Sequence, residues 1–328
     1  MIRRQRILSV GEILVDFVST ESGKTLEQAH AFMKCAGGAP ANVAVGIARL
    51  GTSSAFSGKV GDDPFGKFLV YEMRSLGVET SGIHFDPNHK TRLAFVSLKK
   101  DGDRDFEFWE SNPADEHLQY SDVNQDLLKR ADTVNIGSFL LLKNPSRGTV
   151  MRIAQSARKL GKEVCYDPNL RLSLWKNHDE ARQVMTGMMR RSTIVRLNDE
   201  EAWFFTGTRN LEKVGEKIRR LGAKLVVVTL DSEGCYFQTD RSSGLVPGFR
   251  VKAVDTTGCG DGFLAGLLHG LAQNGKSLEE YSAAELYSIC VAANAVGALV
   301  ATKRGGIAAM PSTRELQQFL KKMGASRT

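Results

Sequence analysis

Residues 255–266 read DTTGCGDGFLAG, a glycine-rich turn that follows the strand-like FRVKAV and leads straight into an apolar helix. The pattern is that of an anion site. Gly258 and Gly260 let backbone approach a charged group closely, and the helix start leaves the N–H groups of residues 258–261 without intrahelical partners. Such donors can hold the charge that develops on a phosphoryl group in transfer. A carboxylate at Asp261 would repel a phosphate that is merely bound, so it suggests proton abstraction from an attacking hydroxyl. An acidic residue that only complements the helix dipole is the other account of this position, and the segment alone leaves both open.

A second glycine-rich element, GGAPANVAVGIARLG at 37–51, also runs from a tight turn into a helix. Gly37 and Gly38 would let a small ligand lie against backbone, and Asn42 offers a donor and acceptors to hydroxyls. Read alone, a loop with a capped helix is the better account. Between and beyond these elements, strand-like runs (RILSV at 6–10, TVNIG at 133–137, EVCYD at 163–167, TIVRL at 193–197, KLVVVTL at 224–230) alternate with helix-like stretches such as 145–161. That alternation predicts an α/β fold, a mostly parallel sheet covered by helices on both faces. Two stretches differ in texture, about 12–34 and 91–110. In the second, RLAFVSLKKDGDRDFEFW reads as two strands joined at Asp101-Gly102. They predict a small sheet inserted into a single domain spanning 1–328.

The 328 residues carry a net charge of +7, but the basic residues are interleaved with acids, which argues against a nucleic-acid partner. The apolar runs 225–230 and 263–271 fall short of a membrane span, and Glu12 and Asp16 interrupt the N-terminal stretch too early for a secretory signal. No membrane association and a cytoplasmic location are expected. Five cysteines without a close pair suit a reducing compartment, and six scattered histidines show no zinc-ligand spacing.

The two glycine-rich segments, in this order and about 220 residues apart, make the chain resemble the ribokinase/PfkB family of carbohydrate kinases. The first shows the family's paired glycines, asparagine and closing leucine-glycine; the second matches its DTxGxGD signature. The resemblance implies a ribokinase-like three-layer core with a small β-sheet lid, ATP and Mg²⁺ as cofactors with K⁺ beside them, and a homodimer formed through the lid. It makes Asp261 the catalytic base, with the backbone of Gly258, Cys259 and Gly260 as anion hole. Sugar hydroxyls would meet Asp16 in GEILVDF, Gly37, Gly38 and Asn42. Asn198 and Glu201 of NDEE match the family's NxxE, which organises Mg²⁺ and phosphate, with Glu201 acting indirectly.

By the same resemblance, adenine lies near Thr229, Gly234 and Asn294. Asp255 and Thr257, with backbone at Ala301, Arg304 and Gly306, fall where relatives bind K⁺. Arg171 in DPNLRLSLW corresponds to an arginine near substrate or phosphate, a structural ion pair being the other reading. Phe106 and Phe108 alternate with acids and so share one face, either covering the sugar or packing the small sheet. Two departures stand out. Cys259 replaces the usual alanine, and a helix N-terminus is expected to lower its thiol pKa. Asp231 replaces the usual glycine and puts nucleotide contacts there in question. GDDPFGKF at 61–68 imitates a P-loop but has phenylalanine where Mg²⁺ needs a hydroxyl, so it reads as a turn and helix start.

Within the family the chain looks most like the fructokinases, which phosphorylate D-fructose at O6. A 2-keto-3-deoxygluconate kinase is the next reading, then ribokinase or a nucleoside kinase. A catalytically silent kinase-fold regulator is the non-enzyme alternative.

Overall fold

The computed structural model describes residues 5–21, 23–98, 104–109 and 112–324. Among them the strands are β1 (Arg6–Val10), β2 (Leu14–Ser19), β3 (Phe32–Gly37), β4 (Ser53–Gly61), β5 (Glu79–Asp86), β6 (Leu93–Leu98) and β7 (Arg104–Phe108). After them come β8 (Thr133–Ile136), β9 (Glu163–Tyr166), β10 (Ile194–Asn198), β11 (Leu225–Thr229), β12 (Gly234–Gln238) and β13 (Ser243–Pro247). The first helices are α1 (Ala39–Arg49), α2 (Pro64–Ser75), α3 (Gln125–Arg130), α4 (Ser146–Lys159) and α5 (His178–Met189). They are followed by α6 (Asp199–Thr206), α7 (Leu211–Arg219), α8 (Cys259–Asn274), α9 (Ala283–Ala301), α10 (Gly306–Ala309) and α11 (Thr313–Lys322).

The large sheet has the order β13-β12-β11-β10-β9-β8-β1-β4-β5. It is parallel from β11 to β5, with β12 and β13 added antiparallel. Its inner strands are buried on both faces, which is why β1, β8, β9, β10 and β11 read as mostly apolar runs, while the edge strands β5 and β13 are partly exposed. Along β11, Val226 and Val228 enter one core with α4, α5, α6 and α7, while Leu225 and Val227 enter the other with α1, α8 and α9. The two-residue pleat thus serves both helical layers. The small sheet, β3-β2-β6-β7, takes its strands from the two stretches of different texture. The expected turn at Asp101-Gly102 and the Phe106 side chain lie outside the described residues.

Two expectations are corrected. FRVKAV, residues 249–254, forms no strand. Its end is held instead by the Val254 and Asp255 N–H groups, which donate to the Ala301 carbonyl. Second, α9 is long and apolar enough to cross a membrane by length and composition, with a mean hydropathy of 1.6 over its 18-residue window. Half of that window is buried, and the helix packs against α8, α11, β12 and β13. A helix apolar all round is what a layer enclosed by neighbours requires. GDDPFGKF is a helix start, with the Asp63 carboxylate capping Phe65 and Gly66.

β1 is where the winding reverses, since the chain adds β4 and β5 on one side and β8 onward on the other. In open parallel sheets a cleft forms outside the carboxyl ends of strands at such a point. Glu12, Gly137 and Asp167 follow β1, β8 and β9 there.

The small sheet is tied to the core by Arg92, one residue before β6. Its side chain is 4 % exposed and pairs with Asp115 at 3.0 Å and Glu116 at 2.9 Å. Replacing Arg92 by Met leaves the buried Asp115 without its cation and Glu116 with Lys143 alone, and should lower stability by about 3–5 kcal/mol. Chemical denaturation checks this; a loss below about 1 kcal/mol would show that the pair contributes little.

Candidate active site

Helix α8 begins at a turn built by Asp255, whose carboxylate accepts from Thr257 N–H at 2.9 Å and Gly305 N–H at 3.0 Å. The turn brings residues 255–257 beside 301–306, the two segments expected to hold K⁺. Arg304 itself is exposed. Gly258 has φ of +79°, and a Cβ on it would lie 3.2 Å from Gly306, so both φ and space call for glycine. No side chain caps α8, which leaves its first N–H groups to other acceptors. The Cys259 N–H, however, donates to the Thr256 carbonyl at 3.2 Å.

Asp261 lies in the first turn of α8 and is buried. Asn42, on the first turn of α1, donates from Nδ2 to Asp261 Oδ2 at 2.7 Å. The two glycine-rich segments therefore meet at one carboxylate. Burial pushes the Asp261 carboxyl up to about 6, with Asp167 adding to the shift and Asn42, Arg196 and Arg171 opposing it. Asp261 and Asp167 line a cavity with Ala39, Pro40, Asn135 and Gly137 at the carboxyl ends of the strands.

Gly37 and Gly38 sit at the edge of this region. A Cβ on Gly37 would collide with Asp16 Oδ2, so the carboxylate lies across that glycine. Gly38 has φ of +108° and approaches the Glu12 carbonyl. A second depression is lined by Phe139, Asn169, Arg171 and Trp175. Phe108 meets the lining residue Phe139 edge-on at 5.3 Å. Arg171 is exposed and hydrogen-bonds the Leu170 carbonyl, while its charge is felt at Asp261.

Asn198 caps α6 by accepting from Glu201 N–H, and Glu201 Oε2 accepts from Asn198 N–H at 2.8 Å. Glu201 Oε1 accepts from Leu170 N–H at 2.7 Å. With both oxygens committed to backbone and the residue 3 % exposed, Glu201 suits an indirect part at a Mg²⁺ site rather than direct ligation. The expected adenine residues are all engaged in the fold. Thr229 Oγ1 accepts from Arg196 at 2.7 Å, Asn294 donates to the Val246 and Pro247 carbonyls, and Gly234 admits close passage of Val246. Asp231 adopts φ of +48°, the conformation a glycine there would take freely. Cys259 is a correction: burial, with Asp255, Asp261 and Asp231 nearby, pushes its thiol up to about 12, so the helix start does not activate it.

Three groups were not read from the sequence as site residues. Arg196 is buried under the α8 turn, 3.3 Å from Asp167, and a Cβ on Gly260 would meet its guanidinium at 2.8 Å. Its signal was an arginine inside the apolar TIVRL. Asp167 ends the strand-like EVCYD and precedes Pro168, a position with no local sign of its pairing with Arg196. Glu12 stands inside an apolar run, where a carboxylate needs an explanation.

A buried carboxyl at a helix start, set beside glycine turns at a sheet's switch point, defines an α/β enzyme of the group-transferring kind. Comparison with known proteins narrows the class. Residues 4–313 match the pfkB family carbohydrate kinase model. Fructokinase-1 of Oryza sativa subsp. japonica is 40 % identical over 319 residues, covering 97 % of this chain and 98 % of that one. The structure of a fructokinase with bound ATP from Xylella fastidiosa superposes with a TM-score of 0.89 at 30 % identity, over 98 % of this chain and 99 % of the other. A fructokinase double mutant from Vibrio cholerae O395, in fructose, ADP and potassium ion bound form, gives 0.86 at 34 % identity, over 97 % and 98 %. The chain belongs to the pfkB family of carbohydrate kinases and is a sugar phosphotransferase.

Proposed function

We propose that this chain is a fructokinase, transferring the γ-phosphoryl group of ATP to O6 of D-fructose. The observation that carries the chemistry is the buried Asp261 carboxyl, oriented by Asn42 at the start of α8. The sugar assignment is supported by the 40 % identity to curated fructokinases over nearly the whole chain. With Oδ2 committed to Asn42, Oδ1 takes the proton of the attacking hydroxyl. A bond forms between the sugar hydroxyl oxygen and the γ-phosphorus, the bond from that phosphorus to the bridging oxygen breaks, and ADP leaves. The N–H groups at Gly258, Gly260 and Asp261 meet the charge on the transferring group. Mg²⁺ bound with ATP would neutralise triphosphate charge, and K⁺ near residues 255–257 and 301–306 would steady the loop.

Asp16, Gly37, Gly38 and Asn42 take the sugar hydroxyls in this reading, Arg171 and Phe108 border the sugar, and Thr229, Gly234 and Asn294 border adenine. The small sheet acts as a lid that excludes water.

An ADP-release assay across D-fructose, 2-keto-3-deoxygluconate, D-ribose and nucleosides should show a clear preference for fructose; turnover favouring another acceptor would reassign the substrate. Asp261→Asn should lower kcat by about 100-fold or more while sugar and ATP still bind. Because the base must be ionised, kcat/KM in the native protein should fall as pH drops through about 6. Wild-type turnover in the variant would sink the base assignment.

A homodimer through the lid belongs to the same proposal. It is supported by Met33 and Trp109 on the small sheet, 49 % and 72 % exposed. Sedimentation analysis should give a dimer that Trp109→Glu dissociates; a monomer at assay concentrations would remove this part.

A further inference from the structure

Residues 11–13 carry the chain from β1 of the large sheet to β2 of the small one. The crossing is gripped tightly. A Cβ on Gly38 would sit 2.6 Å from the Glu12 carbonyl oxygen, and one on Gly58 would sit 2.6 Å from the Gly11 carbonyl oxygen. A Cβ on Gly11 would lie 2.2 Å from Pro40. Glu12 is 4 % exposed. Its Oε1 accepts from Ala39 N–H at 3.1 Å, and its buried Oε2 has no hydrogen-bond partner.

Helix α1 needs that acceptor. Its N-cap is Gly38, which has no side chain to cap with, and Pro40 contributes no N–H. Glu12 therefore does from a neighbouring segment what an N-cap side chain does locally. The helix it holds carries Asn42, which in turn holds Asp261.

We propose that Glu12 is a positioning residue that locks the start of α1 to the crossing between the two sheets. It thereby keeps Asn42 and Asp261 aligned with Asp16 on β2. This rests on the reading of Asp261 as the base. Burial pushes the Glu12 carboxyl up to about 8, so at neutral pH it is protonated and adds no negative charge beside Asp261. The charged groups facing it are Asp261 from α8 and Asp115 from the 114–117 turn, the latter paired with Arg92. A neutral carboxyl is closely imitated by glutamine, which keeps an oxygen for Ala39.

The test is to compare Glu12→Met and Glu12→Gln in the full chain by steady-state kinetics and amide hydrogen exchange. Glu12→Met should lower kcat about 10–100-fold and raise sugar KM, with ATP KM within about twofold, because small misplacement of reacting groups is costly. Exchange at the amides of residues 39 and 41–43 should accelerate. Glu12→Gln should restore both kinetics and protection to near wild type. Should Glu12→Met not fold, Glu12→Asp, which falls short of Ala39, carries the same expectation. Unchanged kcat and exchange in the variant that removes the contact would overturn the proposal, as would a Glu12→Gln protein impaired equally. The base assignment is judged separately: if Asp261→Asn keeps wild-type turnover, faster exchange at residues 39 and 41–43 still supports the hold on α1, and its kinetic consequence is lost.

Discussion

Asn42 and Asp261 stand 219 residues apart in the chain and meet in a buried hydrogen bond of 2.7 Å. That contact sets conditions on everything around it. A carboxylate moved out of water loses hydration worth several kcal/mol, so it must be given donors or charge partners at the same spot. Here they come from separate elements: Asn42 from α1, and Arg196 from the central strand β10. The sheet order places the ends of these elements together, and the carboxyl keeps a proton affinity between that of an exposed acid and that of a fully isolated one.

Around this contact the structure holds several buried ionisable side chains. Asp167, Arg196, Glu201 and Glu12 are all buried near the carboxyl ends of the central strands. Their arrangement is economical in donors. Glu201 joins α6 to the 167–171 loop through the Leu170 N–H while its other oxygen holds the N-cap of its own helix, and Glu12 joins the inter-sheet crossing to α1 through the Ala39 N–H. Carboxylates in such places act as fasteners between loops that no ladder of backbone hydrogen bonds connects. The neutral state of Glu12 and the pairing of Asp167 with Arg196 limit repulsion at Asp261.

The small sheet is fastened differently. One of its faces is aromatic, with Phe17 stacked on Phe95 at 5.2 Å and edge-on to Phe65 of α2, and Trp109 edge-on to Phe95 at 5.8 Å. Its attachment to the core depends on Arg92 between Asp115 and Glu116, with the Phe139 ring 4.6 Å away. Besides apolar packing of Val15 and Phe17 against α2, the sheet that carries Asp16 is thus fastened by one buried cation and one short crossing at residues 11–13. Both fasteners end near the cleft.

Much of the fold was legible from the chain. Apolar runs bounded by glycine and proline located β1, β8, β9, β10 and β11, because a strand buried on both faces admits little else. The two motifs announced their own local shapes, since Gly38 and Gly258 occupy positive φ where other residues are strained. FRVKAV misled because β-branched residues at strand spacing also suit an extended segment tied down by side contacts, and α9 was hidden because its apolar residues are broken into short runs. Asp16 across Gly37, Arg196 under Gly260 and Glu12 at Ala39 had no local signal of partnership. A sequence states which residues carry charge, and for a chain such as this it also states where turns and helices begin. Which charges are driven out of water together, and therefore which protons they hold, depends on the order in which strands assemble, and that is decided only when distant segments pack.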